Sequence, residues 1–481
     1  MSRSSFSKNA VIYLFGGVVA AGGNILIAPM YLRLLSAEDF GVWSQFTLIL
    51  QFLQPIMGWG LLATMARILV DSDAETCSRK MASALKLVTV LNVGVIAVIV
   101  GITQQQFFQP LSADQRFNLL PYAAVTAALG AYPSILMGVY VAAGKALQYR
   151  GLSLVGFILQ AAVLVAFTWL FSANVRIAIF AMIAAAGVYA SISFYKMARV
   201  AEWNANDHNY KELFAFGAPM VLYTVAAQLT DFITRYVLAA NVTSTDFGAF
   251  SVGLIYSSVV AMLASAINLA WIPMYYRRAK EWTASGVYQQ AVDVITTATA
   301  VCGIFLIIFS DELLAIYSGG KLFLDPLIVG MLIIGAWLSS AVWTTLSNPL
   351  FYQKRTKLIL NIMLLSIVIC MPLAFILIGA LGIFGASLAL LLSALSLCVI
   401  AAIALHKLRV FKLNYSKILT NLLYFLILLI PIMGYFHQEP PGLQRYAEKM
   451  FIFSIFASIS LLPVWRSAVR VLRIIESEVP T

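Results

Sequence analysis

Charge is what this sequence lacks. Its 481 residues include 31 Lys and Arg and 20 Asp and Glu, so only 11% are charged, whereas 62% are hydrophobic. A soluble domain has roughly a quarter of its residues charged and needs them to cover its surface. The shortage excludes a water-soluble enzyme, a nucleic-acid binder and a disordered scaffold. Cysteine and histidine are scarce too. The four cysteines, Cys77, Cys302, Cys370 and Cys398, are far apart, with neither disulfide-framework nor zinc-site spacing. The three histidines, His208, His406 and His437, fall in loops and at helix ends, so no metal constellation can be drawn, and no cofactor is called for. Paired carboxylates, nucleophile motifs, phosphate-cradling glycine loops and ATPase signatures are all missing. Asp39-Phe40-Gly41 matches three residues of a kinase signature but has none of its companions.

What is present is long uncharged runs. Twenty-four uncharged residues separate Lys8 from Arg33, 27 separate Asp39 from Arg67, and 27 separate Lys86 from Asp114. The pattern continues to the run between Lys449 and Arg466, which is 16 residues long. A membrane helix needs about 20 apolar residues. There are thirteen such gaps. The 49 residues between Lys357 and Lys407 hold two spans, with a turn at Gly379-Ala380-Leu381-Gly382. The expectation is an all-α polytopic membrane protein of about fourteen transmembrane helices. The ninth and fourteenth are the shortest, and the fourteenth requires Lys449 to snorkel to the interface. A β-barrel would alternate apolar and polar residues, and runs such as Val88–Val100 and Leu422–Ile432 do not. The apolar run after Arg3 and Lys8 has the look of a secretory leader. It continues to Leu32, so the first helix is expected to be retained.

Lys and Arg favour the cytoplasmic side of a membrane. With both termini placed there, 24 of the 31 basic residues fall on the cytoplasmic side, six on the other and one, Arg235, inside a span. The net charge of +11 is this asymmetry, helped by anionic membrane lipid, and calls for no nucleic-acid partner. Fourteen spans of about 23 residues leave roughly eleven for each loop or tail, too few for a soluble catalytic domain.

An internal repeat organises the spans. Residues 35–44, Leu-Ser-Ala-Glu-Asp-Phe-Gly-Val-Trp-Ser, align with 242–251, Val-Thr-Ser-Thr-Asp-Phe-Gly-Ala-Phe-Ser, at an offset of 207. Each lies at the outer turn of a helical hairpin, where Ser36 or Thr243 can cap the following helix. Two similar capping turns would look the same. A duplicated six-helix unit explains more, and because six is even it gives a parallel pseudo-twofold repeat. The expected domains are a six-helix lobe over 1–200, a second over 201–410, and two extra helices with a cytoplasmic tail over 411–481. Transporters place substrate between such lobes.

Asp231 and Arg235 are the charges well inside a span, on the seventh helix. At i and i+4 they share a face and can pair. A charge at the bilayer centre costs at least about 2.5 kcal/mol, so a lipid-facing position is excluded. Arg235 then either faces a cavity and contacts an anionic substrate group, or forms a structural ion pair near the outer third of the helix and snorkels. Gly22, Gly23, Asn24 and Pro29 in helix one allow a bend or close packing. Gln54, Gln160, Gln228 and Asn268 read as interhelical hydrogen-bonding groups.

These residues bring a family into view. Ser7-Lys-Asn-Ala, Tyr31-Leu-Arg-Leu-Leu-Ser-Ala-Glu-Asp-Phe-Gly-Val-Trp43, Gly58-Trp-Gly-Leu, Phe216-Gly-Ala-Pro-Met with Asp231 and Arg235 behind it, Asp246-Phe-Gly-Ala-Phe-Ser-Val and Trp271-Ile-Pro are the motifs that count. Over roughly 1–460 the chain resembles the bacterial polysaccharide-biosynthesis flippases, the O-antigen and capsule repeat-unit translocases of the multidrug/oligosaccharidyl-lipid/polysaccharide exporter superfamily. The resemblance implies two six-helix lobes, often with two further helices. It implies a substrate of undecaprenyl pyrophosphate bearing an oligosaccharide, moved from the cytoplasmic to the periplasmic leaflet of the inner membrane by alternating access, with ion-gradient coupling. Other glycan-assembly proteins, a polymerase or a chain-length regulator, would be its partners. Cationic residues would hold the pyrophosphate or acidic sugars. Arg235 is the first candidate, then Asp231, then Arg67. The competing readings are a drug or metabolite exporter of the same superfamily and, further off, a membrane polymerase or ligase of glycan.

Overall fold

The computed structural model describes residues 25, 27–69, 72–103, 118–203, 210–284, 286–353, 355–407, 414–431 and 443–478. Among them there is no strand. The second span is broken into α1 (Ala37–Met57) and α2 (Leu61–Ile68). Then come α3 (Ala74–Thr103), α4 (Leu119–Ala142), α5 (Ala146–Leu170), α6 (Val175–Ala198), α7 (Tyr210–Asn241), α8 (Ser244–Ala284) and α9 (Val287–Ile308). The short α10 (Ser310–Ser318) follows. The tenth span is α11 (Pro326–Trp337), a π-helical turn at Leu338–Val342 and α12 (Trp343–Tyr352). The chain ends in α13 (Thr356–Lys407), α14 (Ser416–Pro431) and α15 (Leu443–Glu478).

Among the described residues, eleven helices are long and apolar enough to cross a membrane. One of them, the 52-residue α13, is two spans: its backbone leaves the helical region at Gly382, with φ 57° and ψ −126°, a conformation that glycine adopts without a Cβ penalty. The halves fold back, because Ser366 Oγ donates to the Ser393 carbonyl at 3.2 Å, whereas 27 residues of straight helix extend about 40 Å. The turn lies within the expected Gly379–Gly382. With the shorter α14, spans two to fourteen are all present. The first span lies largely outside the described residues, as do Gly22, Gly23, Asn24, His208 and His437.

The chain divides into two compact units, Leu26–Gly248 and Met1–Ile25 with Ala249–Thr481. In the first, α4 is central. Its buried Ala123, Ala124, Ala127, Ala128 and Ala131 let backbones approach closely, as interhelical surfaces in membranes require. Phe46, Leu50 and Ile179 of α1 and α6 close on one side of it, and Met65, Leu85 and Ile135 of α2, α3 and α4 on the other. In the second unit α9 is central. Trp337 Nε1 donates to the Thr296 carbonyl at 3.0 Å, and Asn421 Nδ2 to Thr297 Oγ1 at 3.2 Å. These bonds fix spans ten and thirteen to it.

Helix starts follow the same rule at the basic-poor end. Ser36, Asn118, Asn174, Thr243 and Asp325 each accept a hydrogen bond from the backbone N–H two or three residues on, so the orphan donors of five spans are capped by side chains.

Lys449 does not snorkel. It is 1% exposed, and its Nζ lies 2.7 Å and 2.9 Å from the two carboxylate oxygens of Glu312. One turn earlier, Arg445 Nη2 donates to Asp311 Oδ2 at 2.9 Å. Two acids of α10 therefore neutralise two bases of α15. The short apolar stretch of the fourteenth span is compensated by pairing, because α10 brings carboxylates to that depth of the second unit.

Candidate substrate site

Four of the motifs quoted from the sequence, those holding Gly41, Gly60, Gly217 and Gly248, are contacts. At the basic end of the first unit, span two breaks at Gly58-Trp59-Gly60, where Trp59 and Gly60 both have positive φ (49° and 62°). Into this break packs Gly217 of α7: a Cβ there would lie 2.5 Å from the Trp59 carbonyl oxygen, and one on Gly60 would lie 2.8 Å from that of Gly217. Half-way along, Phe52 of α1 stacks on Phe232 of α7 with centroids 4.0 Å apart. At the opposite end the two copies of the repeat meet. A Cβ on Gly41 would fall on the Ser244 carbonyl, and one on its counterpart Gly248 would lie 3.2 Å from the Gly41 Cα. Span seven is thus held against span two at the basic end and in the middle, and the start of span eight meets span two at the other end. Packing consequently groups α7 with the spans before it, so the compact unit and the duplicated sequence unit have different boundaries.

Arg235 lies between the middle and outer contacts. Its side chain is 10% exposed, and Nη1 donates to Asp231 Oδ2 at 3.1 Å. Thr234, Val237 and Leu238 beside it are also buried. Its Nε is buried and has no hydrogen-bond partner among the described residues. Asp231 is 45% exposed. The pair is asymmetric: a nearly enclosed guanidinium with donors in excess, and a carboxylate on the same face that the protein covers only by half. Such a group recognises planar or tetrahedral anions through paired N–H donors. Snorkelling is not how Arg235 escapes the membrane.

Arg67 is elsewhere. It occupies the last turn of α2 and is exposed, at the basic end of span two. Gly217, eighteen residues of helix or about 27 Å from Arg235, meets the break at Gly60, and Arg67 comes after that break. The structure brings Asp231 and Arg235 together and leaves Arg67 at the other end of the span. Sequence reasoning missed the basic-end cluster on α3. Lys80 Nζ lies 3.2 Å from Glu212, Arg79 Nε 3.2 Å from Glu202, and Lys86 Nζ donates to the Trp203 carbonyl at 2.9 Å. These bonds fasten the connection between spans six and seven; the signal was two adjacent bases and two acids placed 123 and 132 residues later. Of the polar groups within spans, Asn268 accepts from Asn348 Nδ2 at 2.9 Å, an interhelical bond as expected. Among the described residues no His, Cys, Asp and Glu cluster could hold a metal ion.

Residues 6–277, more than half of the chain, match the family described as polysaccharide biosynthesis protein. The chain belongs to that family. Its fold is similar to that of a lipid II flippase, MurJ, in an inward closed conformation, with TM-score 0.72 and 13% identity over 95% of this chain and 99% of that one. It is also similar to the MATE multidrug transporter DinF-BH (TM-score 0.61, 17% identity, 85% and 96% covered). A third similar structure is the Vibrio cholerae MATE transporter VcmN in its bent form (TM-score 0.56, 16% identity, 85% and 99% covered). At these identities the likeness establishes the fold. No curated protein matches the chain significantly. The family member is thus a multi-pass, all-helical membrane protein with the fold of flippases and transporters, and the proteins it resembles are not enzymes.

Proposed function

We propose that the chain flips an undecaprenyl-pyrophosphate-linked oligosaccharide, an O-antigen or similar surface-glycan repeat unit, from the cytoplasmic to the periplasmic leaflet of the bacterial inner membrane. The observation that carries this reading is Arg235, an enclosed guanidinium with an unused Nε and one acidic neighbour, in a member of the polysaccharide biosynthesis family. A charge in a span is retained where it acts on substrate or pairs, and here pairing uses only part of the donor set. Arg67 at the basic end receives the pyrophosphate first; Arg235 holds it deeper, with Asp231 balancing its charge when no substrate is bound. Both termini are cytoplasmic, in keeping with the 24 to six division of basic residues and the inside-positive preference. The lobes are 1–200 and 201–410, with 411–481 an added pair of helices. Face-to-face packing of Gly41 on Gly248, equivalent residues of the two repeats, supports that duplication. Movement is by alternating access and driven by an ion gradient, since no ATPase signature is present. A polymerase and a chain-length regulator would act on the delivered unit.

Deletion of the gene in a strain with no second flippase is expected to abolish polymerised surface glycan and to accumulate carrier-linked units inside. Normal surface glycan in that strain refutes the reading. The MATE-like fold favours one alternative, export of a cationic drug or metabolite. It is recognised by the opposite pattern, lost resistance with unchanged glycan.

A further inference from the structure

The tenth span has an unusual free face. Between Ile328 and Leu350 every residue is buried except Ala336, Ser339, Ser340, Trp343 and Thr344. Elsewhere in the second unit the exposed residues of membrane helices are mostly apolar, as at Val368 (68%), Ile376 (66%), Val399, Ile403 and Phe375, with exposed serines at Ser265, Ser454 and Ser458. The apolar majority is what contact with lipid tails selects. The free face of span ten instead carries three hydroxyls and an indole, in the middle of a 27-residue crossing. Each hydroxyl donates to a carbonyl of its own helix, Ser339 and Ser340 to Ala336 and Thr344 to Ser340. Its oxygen lone pairs remain able to accept. The indole N–H of Trp343 has no partner among the described residues. The π-turn at Leu338–Val342 falls within this stretch; such turns occur often at functional sites, and this one rotates the face as it passes mid-span.

The same helix ends on an aromatic platform. Tyr352 and Tyr276 of α8 are 37% exposed, with ring centroids 6.0 Å apart. Behind them Tyr275 and Tyr288 are 1% exposed, with centroids 4.6 Å apart. A belt of interfacial tyrosines would be spread singly around the lipid boundary. Here rings from α8, α9 and α12 gather into one cluster, and two are presented outward. Two residues beyond Tyr276, α8 leaves helical geometry at Arg278.

We infer that span ten carries a binding face for the sugar part of the substrate, made by Ser339, Ser340, Trp343 and Thr344 in the membrane and by Tyr276 and Tyr352 at its basic end. None of these six side chains is charged, so they fit the neutral, hydroxyl-rich portion of a ligand. Hydroxyl acceptors and an indole donor match sugar hydroxyls, and the tyrosine and indole rings match the apolar faces of pyranose rings. The inference rests on the flippase reading, in which the arginines take the pyrophosphate and a separate uncharged surface must take the glycan.

The test uses the full chain in proteoliposomes with its four cysteines replaced by serine. Ser339→Cys, Thr344→Cys and, as a lipid-facing control, Val368→Cys are labelled with a membrane-impermeant methanethiosulfonate. Ser340→Cys replaces either site variant that fails to insert. The site positions are expected to react at least about tenfold faster than Val368→Cys. Lipid-linked oligosaccharide extracted from cells lacking this chain is expected to slow them at least about fivefold, and undecaprenyl pyrophosphate alone is not. Unreactive site positions mean that the face is packed or lipid-covered, and overturn the inference. Reaction that the glycan-bearing lipid does not slow, or that the bare carrier slows equally, overturns the assignment to sugar. In both cases the flippase reading stands if gene deletion abolishes surface glycan, and it falls separately if deletion leaves glycan normal.

Discussion

Gly217→Ala tests the claim that the four glycine-bearing motifs are contacts. In isolation an alanine in the interior of α7 should help, because glycine costs a helix about 0.8–1.0 kcal/mol relative to alanine. The structure reverses the sign. The new methyl would stand 2.5 Å from the Trp59 carbonyl oxygen, well inside ordinary contact. The obstacle is backbone in a turn with two successive positive-φ residues, Trp59 and Gly60, which has little freedom to retreat. Overpacking of this kind costs about 1–3 kcal/mol, and because the obstacle is backbone the upper part of that range applies, so against a gain of up to about 1 kcal/mol the net destabilisation reaches about 2 kcal/mol. Gly94 in α3 is the matched control: it too is helical, and a Cβ there meets nothing within 4 Å. The assay is the midpoint of thermal unfolding of detergent-purified protein. Gly217→Ala should lower it, and Gly94→Ala should leave it unchanged or raise it. If both variants shift the midpoint alike, or if Gly217→Ala raises it, the close approach of spans two and seven is wrong and the motifs need another explanation.

Other expectations follow from the same geometry. Glu312→Gln should be strongly destabilising, by about 3–5 kcal/mol, because it leaves Lys449 buried without its carboxylate; Glu312→Gln with Lys449→Met should recover most of the loss, as read by the same unfolding midpoints. Asp231→Asn should destabilise more than Arg235→Ala, since the carboxylate is half exposed and can be solvated alone while the guanidinium cannot, and Arg235→Ala should abolish surface glycan at normal protein levels whereas Arg235→Lys keeps a part of it. Ser36→Ala and Thr243→Ala should each cost about 1 kcal/mol as lost helix caps, and equal stability of all three proteins would remove the capping role.

The topology was legible because a membrane restricts where charge can go. The gaps between charged residues located every described span, including the reversal inside Lys357–Lys407, and the cap residues of the repeat, Ser36 and Thr243, act as their chemistry requires. The pairings across the chain were not legible. Nothing in the spacing of Glu312 and Lys449 indicates that they meet, so snorkelling was the economical expectation. The break at Gly58–Gly60 was visible as a motif but not as a socket for Gly217. The free face of span ten was hidden for a different reason: Ser339, Ser340 and Thr344 resemble the many serines and threonines that bond to their own helix, and only the burial of everything around them separates the two cases.

The absence of catalytic motifs and the presence of contact motifs have one physical explanation. On the proposed flippase reading the chain performs no bond chemistry, so its sequence need not hold reactive groups at fixed spacing. It must instead keep helices close enough to move as a body, and in a membrane, where apolar burial gives no preference for protein over lipid, closeness comes from packing of small residues and buried polar contacts. Gly41 against Ser244 and Gly248, and Gly217 against Trp59, are points at which spans two, seven and eight come into backbone contact in the first unit. The first of these is also the point the recurring sequence marks. Arg235 lies one turn from the Phe52–Phe232 stack and within that clamped pair of helices. Its position is therefore fixed by α1 as well as by α7, and a substitution that loosens Gly41 or Gly217 should displace the guanidinium without touching it. Glycan export that falls in Gly41→Ala to the level of Arg235→Ala, with the protein still folded and inserted, is the expected signature; export that survives at the wild-type level would mean that Arg235 does not depend on the clamp.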